Sequence, residues 1–149
     1  MKRLQKKFIA MMLVVSMFLL QGCSVTKPET SHLVTLDTAG KVLTAELKAS
    51  TGDGYEWQYV LDNGSMTESS ASFSNNIFSN TYGSTYTFTC SDIGNNVLYL
   101  ILVQNGDYDT AKVFSYMISI DNSSVMKIDK EGSFLLPANI DLYKRVTAQ

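Results

Sequence analysis

Beyond residue 33 the chain alternates with a period of two, the spacing of a strand that buries one face. Leu43, Ala45 and Leu47 interleave with Val42, Thr44, Glu46 and Lys48. Tyr86, Phe88 and Cys90 interleave with Thr85, Thr87 and Thr89. Phe114, Tyr116, Ile118 and Ile120 interleave with Val113, Ser115, Met117 and Ser119. Tyr55, Trp57 and Tyr59 give a further aromatic face. Val97 to Val103 is apolar throughout, rich in branched residues and bounded by Gly94-Asn95-Asn96 and Gln104-Asn105-Gly106. Its length and bounds predict a central strand buried on both faces. Leu33–Leu36 and Ser72–Phe78 predict edge strands. Turn signals recur at Gly52-Asp53-Gly54, Asp62-Asn63-Gly64, Ser74-Asn75-Asn76 and Asn105-Gly106-Asp107. Together these predict an all-β protein, an immunoglobulin-like antiparallel β-sandwich of about seven to eight strands. The tail is less regular. Val125–Ile128 and Phe134–Leu136 read as strand fragments, and Pro137 to Val146 as a short helix opened by its proline.

Charge divides the chain unevenly. Lys2, Arg3, Lys6 and Lys7 fall in the first seven residues, whereas eight bases face 14 acids from residue 23 onward. An acidic body lacks the clustered Lys and Arg that phosphate binding needs, so no nucleic-acid partner is expected. The basic start runs into an apolar stretch from Phe8 to Leu20, 13 residues long. As a helix it spans about 20 Å, short of the roughly 30 Å needed to cross a bilayer. It fits the hydrophobic region of a signal peptide.

That stretch ends in Leu19-Leu20-Gln21-Gly22-Cys23. The motif resembles the bacterial lipobox, in which a small residue precedes the cysteine that receives the lipid. The resemblance implies cleavage after Gly22, lipidation of Cys23 and residence in the bacterial cell envelope outside the cytoplasm. The expected organisation is a signal peptide over 1–22, a lipidated cysteine and polar tether over 23–32, a sandwich over 33–121 and a C-terminal extension over 122–149. Cys90 is then the one remaining cysteine, which excludes an internal disulfide.

Candidate chemistry is sparse. His32 is the single histidine, falls in the expected tether and has no Cys or carboxylate pair at metal-ligand spacing. Cys90 shares a face with Tyr86 and Phe88 and reads as a core thiol. Asn105, Asp107 and Asp109 offer oxygens in one loop without the ligand spacing of an EF-hand, and read as a solvated turn. No catalytic group, metal or cofactor is expected.

One segment carries more information. Ser50-Thr51-Gly52-Asp53-Gly54-Tyr55-Glu56-Trp57 follows one strand and opens another. It resembles the Asn-Pro-Thr-Thr-Gly-Tyr-x-Trp signature of the chagasin family, immunoglobulin-like inhibitors of papain-type cysteine proteases. Gly54, Tyr55 and Trp57 fall on that pattern. Thr81-Tyr82-Gly83-Ser84-Thr85 is similar to the family's Gly-x-Gly-Gly-Thr, keeping one glycine and the threonine. The family ends its apolar strand with Arg-Pro-Trp, where this chain has Gln104-Asn105-Gly106. Order and spacing hold over residues 33 to 121.

The resemblance implies a papain-type protease as partner, wedged by three loops. These would present Thr51, Gly52, Asp53 and Gly54; Tyr82, Gly83, Ser84 and Thr85; and Gln104, Asn105, Gly106 and Tyr108. Tyr55 and Trp57 would be structural. Retained residues are those a scaffold needs, while the exchanged ones belong to the binding edge. Asp53 stands where the family places a cleft-facing threonine, and burying a carboxylate is costly. Two functions therefore stand side by side. One is a surface-tethered inhibitor. The other is a lipid-anchored binding or structural module without inhibitory activity.

Overall fold

Which face each strand buries follows from the alternation, and pairing then sets the layers. The computed structural model describes residues 30–62, 64–76 and 80–148. Its strands are β1 (Ser31–Leu36), β2 (Val42–Ser50), β3 (Tyr55–Asp62), β4 (Met66–Asn76), β5 (Thr81–Cys90), β6 (Gly94–Gln104), β7 (Asp107–Ile120) and β8 (Met126–Leu135). Among the described residues a short 3₁₀ turn spans Thr51–Asp53, another spans Leu136–Ala138, and one helix, α1, spans Ile140–Thr147. All pairings are antiparallel, in sheets of order β1-β2-β5-β4 and β3-β6-β7-β8. The first seven strands follow the constant-type immunoglobulin arrangement, with β8 added beside β7. The expected signal segment, Cys23 and the tether up to residue 29 lie outside the described residues.

Between the sheets lies the main core. Leu43, Ala45, Leu47 and Phe88 come from the first sheet; Trp57, Leu98, Leu100, Tyr116 and Ile118 come from the second. Trp57 is 8% exposed, and its indole N–H donates to the Lys48 carbonyl at 2.9 Å, tying β3 to β2 across the layers. A buried indole with its donor satisfied gains its apolar burial without an orphaned polar group.

The outer face of the second sheet is buried as well. Val60, Ile101, Val103, Ala111 and Val113 pack under Leu136, Leu142 and Val146. This explains the unbroken apolar run of β6: its even positions meet the first sheet, its odd ones the C-terminal segment. Pro137 sits in the 3₁₀ turn rather than in α1, which starts at Ile140 with Asn139 as its cap, accepting from the Leu142 N–H at 3.1 Å. Arg145 pins the helix to Asp62 at 3.1 Å.

Two expected boundaries shift. The fragments read at Val125–Ile128 and Phe134–Leu136 belong to one strand, β8, whose pairing with β7 carries a bulge between Met117 and Ile118. That bulge breaks the period of two, so the strand does not show in the pattern. The 121/122 division therefore falls inside one sandwich. At the other end β1 starts at Ser31, so His32 is in the sheet and not the tether, paired with Leu47. Its ring lies 4.0 Å from that of Phe114 and 5.4 Å from that of Trp57. β1 runs antiparallel to β2, which brings Thr30 beside Ser50, whose N–H donates to the Thr30 hydroxyl at 3.3 Å.

Two outcomes test this packing. Trp57→Ala is expected to cost about 3–5 kcal/mol in denaturant unfolding, the usual loss for a large buried aromatic. An unchanged midpoint would place Trp57 outside the core. The second concerns pH. Burial lowers the His32 pKa, opposed by the nearby Glu131 carboxylate. The unfolded chain takes up a proton near pH 6.5, the folded chain only at lower pH. Stability is therefore full above about 6.5 and falls as the pH drops from there to the folded pKa. His32→Phe should flatten urea midpoints across that window.

Candidate functional site

The β2–β3, β4–β5 and β6–β7 connections lie at one end of the sandwich, because β2, β4 and β6 all run toward it. Register places the ends side by side: Ser50 pairs with Thr81, and Tyr55 with Gln104. The β6–β7 connection is a two-residue hairpin of Asn105 (φ 52°) and Gly106 (φ 73°), flanked by the pair Gln104 and Asp107. Positive φ at both positions is the tight hairpin geometry that Asn-Gly favours.

Two of these connections are locked together. Gly54 (φ 70°) accepts from the Asn105 N–H at 2.8 Å, and the Gln104 side-chain amide donates to the Asp53 carbonyl at 3.0 Å. A Cβ on Gly54 would stand 1.8 Å from Asn105 Oδ1. Glycine is thus required there twice, for the backbone angle and for the space. The described part of the loop end is small and polar: Gly52, Asn80, Asn105 and Gly106 are exposed, with Asp53 half-buried. The Thr51 side chain and residues 77–79 lie outside what the structure describes.

Other residues expected in the loops fall elsewhere. Thr81 already opens β5, so Tyr82, Gly83, Ser84 and Thr85 are strand residues, and Ser84 is buried in the sheet. Thr85 sits opposite Glu46, four positions up the strand from the end. Tyr82 stacks on Phe73 of β4 with ring centroids 6.1 Å apart. Tyr108 is turned away by an irregularity between Leu102 and Gln104 in the β6–β7 pairing. It packs under the C-terminal layer and its hydroxyl accepts from Gln58 at 3.0 Å. Thus Gly52, Asp53, Gly54, Gln104, Asn105 and Gly106 come together, while Tyr82 and Tyr108 do not join them. Tyr55 is half-buried beside Trp57 at the base of the end.

Sequence reasoning missed an aromatic row along the flank between β3 and β4. Tyr59 lies 4.8 Å from Tyr86, and Tyr86 lies 5.9 Å from Phe73. Tyr59 donates to the Glu68 carboxylate, and burial followed by that carboxylate pushes its phenol pKa upward. Aromatics at 59, 73, 82 and 86 are far apart in sequence, and only the sandwich topology joins them.

Comparison of the chain with protein-family models, curated proteins and solved structures finds no match. Among the described residues no three His, Cys, Asp or Glu side chains cluster to hold a metal. His32 is committed to ring packing, and the Cys90 thiol, half-buried, donates to the Ser124 carbonyl at 3.2 Å.

The lock is open to test. Gly54→Ala should destabilise by about 2–4 kcal/mol, combining positive-φ cost with the clash. Adding Asn105→Gly should recover the clash part alone, read as coupling in a double-mutant cycle of urea unfolding. Additive effects would show that Gly54 and Asn105 do not press on each other.

Proposed function

We propose that this chain is a binding module without catalytic chemistry, held at the outer face of a bacterial membrane by a lipid on Cys23, and that it takes its partner at the loop end of the sandwich. The observation that carries the reading is the lock between Gly54 and the Asn105-Gly106 hairpin. It fixes two connections at one end before any partner arrives, so binding there pays little for ordering loops. The anchor rests on the Leu-Leu-Gln-Gly-Cys23 motif behind a short apolar segment.

A second reading, inhibition of a papain-type protease, is favoured by the convergence of the β2–β3, β4–β5 and β6–β7 connections that the chagasin resemblance requires. Energetics weigh against it. Among the described residues of the tip, Gly52, Asp53, Asn105 and Gly106 offer no aromatic anchor, and affinity at interfaces concentrates in such anchors; Phe78 of the β4–β5 connection lies outside the described residues. Tyr82 and Tyr108, the aromatic residues expected in these loops, face the flank and the C-terminal layer.

One assay separates the two. The binding-module reading expects a panel of papain-type proteases to keep full activity with the wild type and with Asp53→Thr alike. Inhibition by the wild type that strengthens in Asp53→Thr would replace it with the inhibitor reading. The anchor is checked separately by intact mass of membrane-extracted protein, expected to begin at a lipid-modified Cys23. A retained leader or an unmodified thiol would remove it.

A further inference from the structure

A sheet edge left bare invites another strand, and natural sandwiches guard their edges with charge, proline, bulges or brevity. Three of the four edges here are guarded. β1 is only six residues long. β8 carries Lys127, Asp129, Lys130 and Glu131, all exposed, and a bulge. β3 bears Glu56 and Asp62 on its outer face, with Arg145 closing over Asp62.

β4 differs. It is eleven residues long, all exposed except Met66, and among the described residues it has one paired neighbour, β5. It contains no lysine, arginine or proline. Its single charge, Glu68, is engaged by the Tyr59 hydroxyl across the flank, and the pairing irregularity between Glu68 and Ser70 sits at that end. From Ser69 to Asn76 the edge is uncharged. In its middle stands Phe73, 60% exposed, backed by Tyr82 and Tyr86.

We propose that β4 is a self-association edge, on which a second copy of the chain pairs antiparallel through its own β4 about a two-fold axis at Phe73. Self-pairing suits this strand for two reasons. An uncharged segment laid antiparallel on itself sets no like charges opposite each other. Directly opposed residues must also share a face of the sheet. Centring on Phe73 meets that condition: it sets Phe73 against Phe73, Ala71 against Asn75 and Ser72 against Ser74. Phe73 then gains an aromatic cross-strand partner. The two first sheets become one continuous sheet of eight strands. A two-fold contact closes on itself and stops at the dimer. An edge of this length buries less than a standard interface, so the dimer is weak and concentration-dependent.

The test uses the full chain in detergent, followed by sedimentation velocity from about 1 μM to about 1 mM, the range in which a weak dimer forms. The weight-average mass should rise toward twice the monomer's, with β4 amides gaining protection from hydrogen exchange in step. Ser72→Lys combined with Ser74→Lys sets like charges opposite across the axis and should abolish association. Ser72→Lys combined with Ser74→Glu sets opposite charges together and should restore it. Thermal unfolding of each variant checks the fold, which is expected to stay intact because both side chains are exposed in the monomer. A wild type monomeric throughout would overturn the proposal. So would association that survives the double lysine variant, or a lysine–glutamate variant that stays monomeric while folded. Should a double variant fail to fold, concentration-dependent protection of wild-type β4 decides alone, and its absence overturns the proposal.

Discussion

A sheet that is apolar on both faces has to be covered twice, and this requirement governs the architecture. The β3-β6-β7-β8 sheet presents Leu98, Leu100 and Tyr116 to the first sheet and Ile101, Val103 and Val113 to the other side. The first cover makes the sandwich. The second is supplied by Leu136, Leu142 and Val146, carried on the turn and helix after β8. The C-terminal segment is thus a third layer, and its position fixes other things. Tyr143 donates to Asp109 at 2.8 Å, which steadies β7 just past the hairpin of the loop end. Tyr108 is drawn under the same layer and away from that end.

Much of this was legible in the residues. One-sided alternation marked β2, β5 and β7. The two-sided apolar run marked β6 as central, and Trp57 and Gly54 stood out as anchor and turn. What escaped did so for definable reasons. A bulge shifts the side-chain parity by one, which hid the continuity of β8 and reversed the facing of Tyr108. Hydroxyl and glycine residues suit turns and twisted strands alike, so Thr81 to Thr85 read as loop when they form the start of β5. His32 carried the signal of a polar tether residue, and only the register of β1 against β2 lays its ring on Phe114. The site was legible where it rests on backbone geometry, at Gly54 and Asn105-Gly106. It was not where it depends on which way a side chain turns.

Rigidity and small polar groups combine where the β2–β3 and β6–β7 connections meet. They are fastened by backbone hydrogen bonds and by a contact that excludes any side chain at position 54. The exposed groups of these two connections are small and polar. In the binding role proposed above, such a surface would rely on shape and hydrogen-bond pattern more than on hydrophobic energy. The larger apolar groups lie on the flank, beside β4. Among the described residues the molecule thus separates a stiff polar tip from a flank with exposed apolar surface, and the two contacts proposed above fall on different faces.

The direction of β1 adds a geometric consequence. Thr30 lies beside Ser50, so the chain enters the sandwich at the end that carries the loops. Seven residue-to-residue steps lead from Cys23 to Thr30, a reach of at most about 25 Å when fully extended. With the lipid proposed at Cys23, the tip is confined to a thin layer above the bilayer and cannot extend far into the surrounding medium. Encounters there become two-dimensional. A partner embedded in or attached to the same membrane meets the tip at a greatly raised effective concentration, whereas one diffusing freely outside has to enter a crowded, shallow zone. With that anchor in place, the polarity of a single edge strand would favour neighbours in the membrane plane.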